Sequence, residues 1–253
     1  GYHLIALRKE EKILPGPVVK EAVEERAEAI EVEQGRKVRK KEKEEIKEQV
    51  MLEMLPQAFS RNRRCFAYLA PQDGVLVVDA GSAKQAEDLA STLRKSLGSL
   101  PVRPPAVEQA PAFTFTGWLN ESIDHPATIV LGSECELKDP SEDGGVVRCK
   151  GLDLKADEIR NHLETGMQVT KLALTWDDNV SFVLDEELGI RRLKFGETLQ
   201  DQLDGVDADD AMAKFDAAFT IMTLELSRLI PGLLEALGGE DRSAIVEESS
   251  DRG

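Results

Sequence analysis

The side chains best suited to chemistry are two clusters of lysine and arginine. One cluster follows Gly35 and the other follows Phe59, and their members are Arg36, Lys37, Arg39, Lys40, Lys41, Lys43, Arg61, Arg63 and Arg64. Cations that neutralise nucleic-acid phosphates release bound counterions, which gives an affinity that falls steeply with salt. No zinc-finger spacing or other base-reading motif accompanies the clusters. The sequence therefore predicts DNA binding that is directed at the phosphate backbone and has little sequence preference.

A further cationic position, Lys84, follows a strand-like segment in the sequence Gly81-Ser82-Ala83-Lys84. The free N–H groups at a helix N-terminus attract anions, but this segment lacks the spacing of a nucleotide-binding P-loop. Two interpretations stay open. Ser82 caps the helix that follows, or the turn and Lys84 contact a DNA phosphate.

Catalytic and metal-binding motifs find little support in the sequence. There is no G-x-S-x-G motif, and the three histidines, His3, His125 and His162, lack the spacing of a triad. The cysteines form no CxxC pair, and the acidic run 201–210 lacks the glycine and glutamate of a calcium loop. We therefore expect a protein that is not an enzyme and that needs no metal or cofactor.

The charge is distributed unevenly along the 253 residues, whose formal net charge is −16. Residues 1–64 hold 15 Lys/Arg and 13 Asp/Glu, whereas residues 65–253 hold 17 and 35. Such asymmetry is typical of a local interaction site on an acidic body. No apolar run suggests a membrane span, and three widely spaced cysteines (Cys65, Cys135 and Cys149) favour a reducing, cytoplasmic location.

The hydrophobic pattern predicts an α+β fold. Units of hairpin, helix and strand form antiparallel sheets with covering helices, and two charged helices joined at Gly35 form a protruding antiparallel hairpin. A closing helix begins near Ala208, and Pro231 should kink or break it. We assign residues 1–14 and 56–133 to a centre region, 15–55 to the helical tip, 134–237 to a base region and 238–253 to an acidic disordered tail. Because Gly1 runs directly into a strand-like segment, we also expect a preceding segment that pairs with it.

Several segments together resemble the recombination-associated protein RdgC family. They are RKEEKILPGPVVKEAVE, LPQAFSR, DAGSAKQAEDLASTLRKSLGSLPV, EDGGVVRCK, IRNHLETGMQVTKLALTW and NVSFVLDEELGIRRLKF, and they occur in unbroken order from about residue 3 to 240. The resemblance implies a nucleoid-associated protein that forms a ring-shaped homodimer around double-stranded DNA. It also implies binding of DNA without sequence specificity, with single-stranded DNA as an open alternative to double-stranded DNA, and restraint of the RecA recombinase. No enzymatic activity is implied.

The resemblance also assigns roles to individual residues. The tip cluster is Arg36, Lys37, Arg39, Lys40, Lys41 and Lys43. Its first four members, together with Arg148, Lys150 and Lys171, match basic positions of the family and are implied to contact DNA. Phe59 and Arg61 are implied to close the ring or to line its hole, and we also assign Val38 and Ile46 to the dimer interface. Gly151, Leu152 and Met167 depart from the polar residues that the family pattern suggests at those positions.

An alternative from another class of protein is a protein–protein adaptor. In that interpretation the helical hairpin (15–55) binds a protein partner, and the acidic remainder of the chain (65–253) mimics the charge of DNA. A third interpretation of the arm is a solvated helical pair held by Glu–Lys contacts.

Overall fold

The computed structural model describes residues 1–141, 143–204 and 211–243. The chain divides into two compact units, Gly1–Leu100 and Pro101–Gly253. Each unit combines an antiparallel sheet with helices. The predicted α+β class is therefore confirmed.

The first unit contains the predicted helical hairpin, formed by α1 (Gly16–Gln34) and α2 (Lys40–Met54). The left-handed backbone of Gly35 (φ 61°) ends α1, a conformation that glycine adopts without steric cost. The two helices bury a small apolar core of their own, made by Val19, Val23, Ala27, Ile46 and Val50. Arg26 Nη1 also binds both carboxylate oxygens of Glu53 across the hairpin, at 2.9 and 2.8 Å.

The rest of the first unit is a three-stranded sheet of β1 (His3–Ile13), β2 (Phe59–Ala70) and β3 (Val75–Asp79), in that order. β1 and β2 pair along their whole length, but β3 pairs only with the last five residues of β2. The part of β1 and β2 nearest the helical hairpin is therefore a two-stranded ribbon. Helix α3 (Ala83–Leu97) packs Leu89 against Cys65 and Ala67 of the sheet.

The second unit is built on a five-stranded antiparallel sheet. Its strands are β4 (Ile129–Lys138), β5 (Val146–Lys150), β6 (Gln168–Trp176), β7 (Val180–Asp185) and β8 (Ile190–Phe195), in the order β5-β4-β6-β7-β8. The helices of this unit are α4 (Pro111–Leu119), α5 (Asp157–Glu164), α6 (Glu197–Asp204) and α7 (Ala211–Ala236). Alternate residues of the strands are fully buried, among them Leu137, Val169, Leu172 and Leu174. The other face of the sheet carries charged side chains.

Helix α7 is continuous through Pro231, so the predicted break there is wrong. Leu229 and Leu233 on either side of the proline are buried, and their packing holds the helix together. The first turns of α7 are open, with Met212 72% and Phe215 52% exposed. Helix α7 also has the length and hydropathy of a membrane span, which the sequence analysis did not predict, and it buries Leu226, Leu229 and Leu233.

Two predicted boundaries need correction. The boundary at 133/134 falls inside β4, which continues across it as one strand with a register shift after Leu131. The start of the predicted tail is ordered, since Val107 and Glu240 form a β-bridge and the Asp241 N–H donates to the Ala106 carbonyl. The remaining tail (244–253), the predicted start of the last helix at Ala208 and Glu142 lie outside the described residues.

Candidate nucleic-acid interface

The two-stranded ribbon places cations opposite cations. Arg8 of β1 lies directly opposite Arg64 of β2, and the next rung pairs Lys9 with Arg63. Successive residues of a strand point to opposite faces, so each face of the ribbon carries one of these pairs. Like charges directly opposite each other destabilise a sheet. The ribbon therefore maintains a concentration of positive charge that its own folding disfavours.

Some of the ribbon cations form ion pairs with carboxylates, and others do not. Glu11 lies 3.8 Å from Lys9 Nζ and 3.5 Å from Arg63 Nε, and Lys9 also reaches Asp88 of α3 at 3.2 Å. Arg61 and Arg64 are exposed, and neither takes part in an ion pair within the described residues. These two guanidinium groups are the ones most available to an external anion.

An exposed apolar pair ends the ribbon beside the helical hairpin. Phe59 is 85% exposed, and its cross-strand neighbour Ile13 is 44% exposed. The structure thus presents Phe59 to solvent. Val38 and Ile46 differ, because Ile46 is 6% exposed in the hairpin core and Val38 packs partly buried against that core. Their side chains serve the hairpin's own packing, which leaves Phe59 as the exposed member of the predicted dimer contact.

The tip cluster contains one neutralised cation. Arg36 binds Glu42 through two hydrogen bonds, at 2.9 and 2.6 Å, and Glu42 also accepts the backbone N–H of Arg39 at 2.8 Å. The hydrogen bonds from Arg36 and from the Arg39 backbone lower the pKa of Glu42 to about 2. Glu42 thus ties Arg36 to the first turn of α2, where negative charge is favourable.

The remaining tip cations, Lys37, Arg39, Lys40, Lys41 and Lys43, are exposed. They lie at the start of α2, and the ribbon begins beyond its other end. A helix of this length spans about 20 Å. The two clusters that follow each other in the sequence are therefore two separate patches.

Lys84 lies in the first turn of α3, where the structure favours capping as the role of the turn. Ser82 Oγ accepts the N–H of Gln85 at 3.3 Å, and Gln85 Oε1 accepts the N–H of Gly81 at 3.2 Å. The Ser82 bond is an N-cap, and the Gln85 bond differs from a capping box in accepting the N–H of Gly81 in place of that of Ser82. Lys84 itself is exposed.

The three basic positions of the second unit share the open face of the five-stranded sheet. Glu136 holds Arg148 and Lys171, each at 2.7 Å, and Lys150 lies 3.8 Å from Glu134. The Glu136 side chain is 16% exposed, whereas that of Arg148 is 70% exposed. The carboxylates therefore lie close to the sheet, beneath the cations, and the cations face the solvent.

Two further arginines on this face were missed in the sequence. Arg191 binds Asp185 and Arg192 binds Glu134, each at 2.6 Å. Neighbouring residues of a regular strand point to opposite faces, but β8 has a register shift here and Arg192 has a left-handed backbone (φ 54°). Such irregularities redirect side chains, so both arginines reach the same depression of about 450 Å³, with Arg148, Lys150 and Lys171.

The Arg36–Glu42 pair predicts a specific pH dependence. Since the folded pKa of Glu42 is lowered, the stability that the pair contributes is present above pH 4.5 and is lost as the pH falls towards 2. We expect carboxyl NMR titration to place Glu42 near 2, and Glu42→Gln to remove this part of the acid sensitivity of urea unfolding. A Glu42 titration near 4.5 in the folded protein would contradict the pairing.

Metal ligands do not come together in the described ranges, where no group of three or more His, Cys, Asp or Glu is placed to hold a metal ion. Exposed cations lie on three patches of the described surface: the ribbon, the helical tip and the open sheet face.

Comparison with known proteins agrees with the resemblance seen in the sequence. The family model described as "RdgC: Putative exonuclease, RdgC" matches residues 1–240. A recombination-associated protein RdgC of Aeromonas hydrophila is 53% identical over 243 residues, which cover 96% of this chain and 80% of the relative. Proteins of the same name from Pseudomonas entomophila and Pseudomonas putida are 52% and 51% identical, covering 94% and 95% of this chain and 78% of each relative.

Proposed function

Because the chain belongs to the RdgC family of recombination-associated proteins, we propose that it binds DNA without sequence preference as a closed homodimeric ring. By occupying the DNA, the ring restrains recombination by RecA. The protein acts in the cytoplasm, on the nucleoid. It needs no cofactor for this role, because binding and occupancy involve no chemical step.

The observation that carries the proposal is the cation-on-cation pairing in the ribbon. Arg64 lies opposite Arg8 and has no ion-pair partner within the described part of the chain. A polyanion between or beside the two guanidinium groups removes their repulsion and gains charge-assisted hydrogen bonds. Phosphate is the anion that a recombination-associated protein meets on its substrate.

The open sheet face supports a second backbone contact. Its five cations face outward above Glu134, Glu136 and Asp185, while Glu186 and Glu187 line the adjoining depression, so the cations form a positive patch with acidic residues at its edge. Arginine is suited to phosphate because its planar fork can donate two hydrogen bonds at once. No base-edge contact is needed, so sequence preference is weak.

A closed ring explains how an acidic chain can hold DNA. Two copies of a chain with a net charge of −16 repel DNA unless their cations share one surface. Closed two-fold symmetry gathers the patches of both copies on an inner wall and leaves the acidic residues outside. Such a ring retains DNA by topology, because escape requires an interface to open.

The proposal is tested by gel-shift titration at several salt concentrations, on closed circular DNA and on the same DNA after linearisation. We expect binding to both forms at low salt, with a strong salt dependence. A salt challenge should then release the protein from linear DNA much faster than from circles. Negligible binding at physiological salt would instead favour the protein–protein adaptor, and equal release from both forms would contradict the ring.

Phe59→Ala tests the closure of the ring. Because Phe59 is 85% exposed, its removal should leave the thermal unfolding midpoint of the protomer almost unchanged. We expect the variant to lose the extra retention on circular DNA and to shift towards open species in native mass measurements. Lys95→Ala, at an exposed position on α3, is the control. Unchanged retention on circles would remove Phe59 from the interface.

We also propose that the protein restrains recombination without cleaving DNA. The name of the family model mentions an exonuclease, whereas the named relatives are described by recombination alone. Incubation of linear end-labelled DNA with the protein and Mg²⁺ tests this point. A nuclease activity would overturn this proposal if it co-purified with the protein and were lost when Arg61 and Arg64 of the ribbon are replaced by glutamine.

A further inference from the structure

Two of the three cysteines, which are widely separated in the sequence, meet in the fold. Cys135 of β4 and Cys149 of β5 are direct partners in the antiparallel register. Their side chains are 2% and 6% exposed. Both lie on the covered face of the sheet, opposite the face that carries Glu134, Glu136, Arg148 and Lys150, because neighbouring residues alternate.

The positions of the two cysteines suit a covalent link. Directly opposed residues of antiparallel strands have Cα atoms about 4.5 or 5.5 Å apart, depending on the type of rung. Both separations fall within the range that a disulfide accepts. The two thiols are also close enough to interact, since burial and the neighbouring Cys149 together raise the pKa of the Cys135 thiol.

We propose that Cys135 and Cys149 are an oxidation site that forms a cross-strand disulfide when the protein meets a peroxide. This inference does not depend on the DNA-binding proposal. Both cysteines are reduced in the structure, and the site is a modification site rather than a permanent structural bridge.

The chemistry balances with hydrogen peroxide as the oxidant. Cys149 is the more exposed of the two and lies on an edge strand of the sheet, so its thiolate attacks the peroxide. The O–O bond breaks, a sulfenic acid forms on Cys149 and the released hydroxide takes up a proton to become water. The Cys135 sulfur then attacks the Cys149 sulfur, the S–O bond breaks, and the thiol proton leaves with the second water.

The disulfide would link β5, an edge strand of the sheet, covalently to β4. β5 has β4 as its single neighbour in the described sheet, and it carries Arg148 and Lys150. A disulfide at Cys149 fixes both cations over Glu136 and Glu134, the residues that hold them in the reduced protein. The oxidised protein should therefore resist local opening at this edge.

Cys65 provides a matched internal control. It is as buried as Cys149, at 6% exposed, but its cross-strand partner is Leu7 and its thiol donates to the Asp79 carbonyl. It lies in the first unit and has no cysteine opposite it. A difference between Cys65 and the pair therefore reports geometry rather than burial.

The experiment treats the reduced, folded protein with hydrogen peroxide, unfolds it in denaturant with an alkylating reagent, and measures the intact mass and the linked peptides. We expect one alkylated thiol, at Cys65, and a peptide that joins Cys135 to Cys149 and separates on reduction. The oxidised protein should melt roughly 5–10 °C higher, because the link closes a loop of about 15 residues.

Cys149→Ala and Cys65→Ala complete the test. In Cys149→Ala, both remaining thiols should stay open to alkylation, whereas Cys65→Ala should still form the link. Three alkylated thiols after peroxide treatment would overturn the proposal. So would oxidation confined to Cys65, or irreversible oxidation of Cys149 without a link to Cys135.

Discussion

Replacing Arg61 and Arg64 together by glutamine should make the log–log salt slope of DNA binding shallower by about 1.8 for each protomer, or about 3.6 for the homodimer, and should weaken binding at 0.1 M salt roughly fiftyfold for each protomer. Each guanidinium is exposed and outside the ion pairs of the described residues, so each is free to neutralise one phosphate. Because Arg64 faces Arg8 and Arg61 faces Glu11 across the ribbon, the substitution removes one repulsion and one attraction. We therefore expect the free energy of unfolding to change by less than about 1 kcal/mol. Loss of binding without loss of stability is a result that general damage to the fold does not produce.

The matched control replaces Lys20 and Lys95 by glutamine. This change removes the same charge from the same unit, at exposed positions on α1 and α3 that belong to neither cluster. Fluorescence anisotropy with a labelled duplex between 50 and 300 mM salt, together with urea unfolding, measures both quantities. If the ribbon and control variants bind with equal affinity and equal slope, the ribbon does not contact DNA.

Gly232→Ala should destabilise the second unit by about 1–3 kcal/mol, the usual cost of overpacking a core. In an open helix this change would stabilise by nearly 1 kcal/mol. At Gly232, however, a Cβ would run into the indole ring of Trp176 on β6. Helix α7 is then forced away from the sheet. The expected change in the free energy of unfolding is therefore opposite in sign to the change that helix propensity alone predicts.

A second substitution, at Trp176 on β6, distinguishes the predicted clash between the Gly232 Cβ and the indole ring from a general destabilisation of α7 by the new methyl group. Trp176→Leu should be destabilising alone, but it makes room for the new methyl, so the double variant should be more stable than the sum of the two predicts. Gly145→Ala is the control, since a Cβ at Gly145, the residue before β5, meets no atom beyond its chain neighbours within 4 Å. Calorimetry or urea unfolding measures all four proteins. If the two losses of stability simply add in the double variant, the contact with the Trp176 indole does not set the position of α7.

The local elements were predictable because their signals are local. Ser82 and Gly98 bound α3, and the turn between β2 and β3 carries Pro71 and Gly74. Periodicity also identified the helical hairpin. The region around 133 was harder, because a bulge within one strand and a loop between two strands both interrupt the alternation of β4. Only its pairing with β6 on both sides of the bulge distinguishes the two.

The candidate site was predictable in composition but not in arrangement. The cationic clusters were visible, but the neutralisation of Arg36 by Glu42 needs the geometry of the first turn of α2. Arg191 and Arg192 looked like residues on opposite faces until the left-handed backbone of Arg192 placed them together. Pro231 was predicted to kink or break the helix because its buried neighbours, whose packing keeps the helix continuous, are known only from the structure.

The carboxylates beneath the sheet-face cations have a consequence for residence time. Glu136 is shared by Arg148 and Lys171, so when a phosphate takes Arg148, the glutamate still has Lys171 and no buried charge is stranded. When the phosphate leaves, Arg148 returns to a waiting partner. In the proposed ring, such a surface would let DNA phosphates exchange on the cations one at a time, so the dimer could slide along the duplex without dissociating.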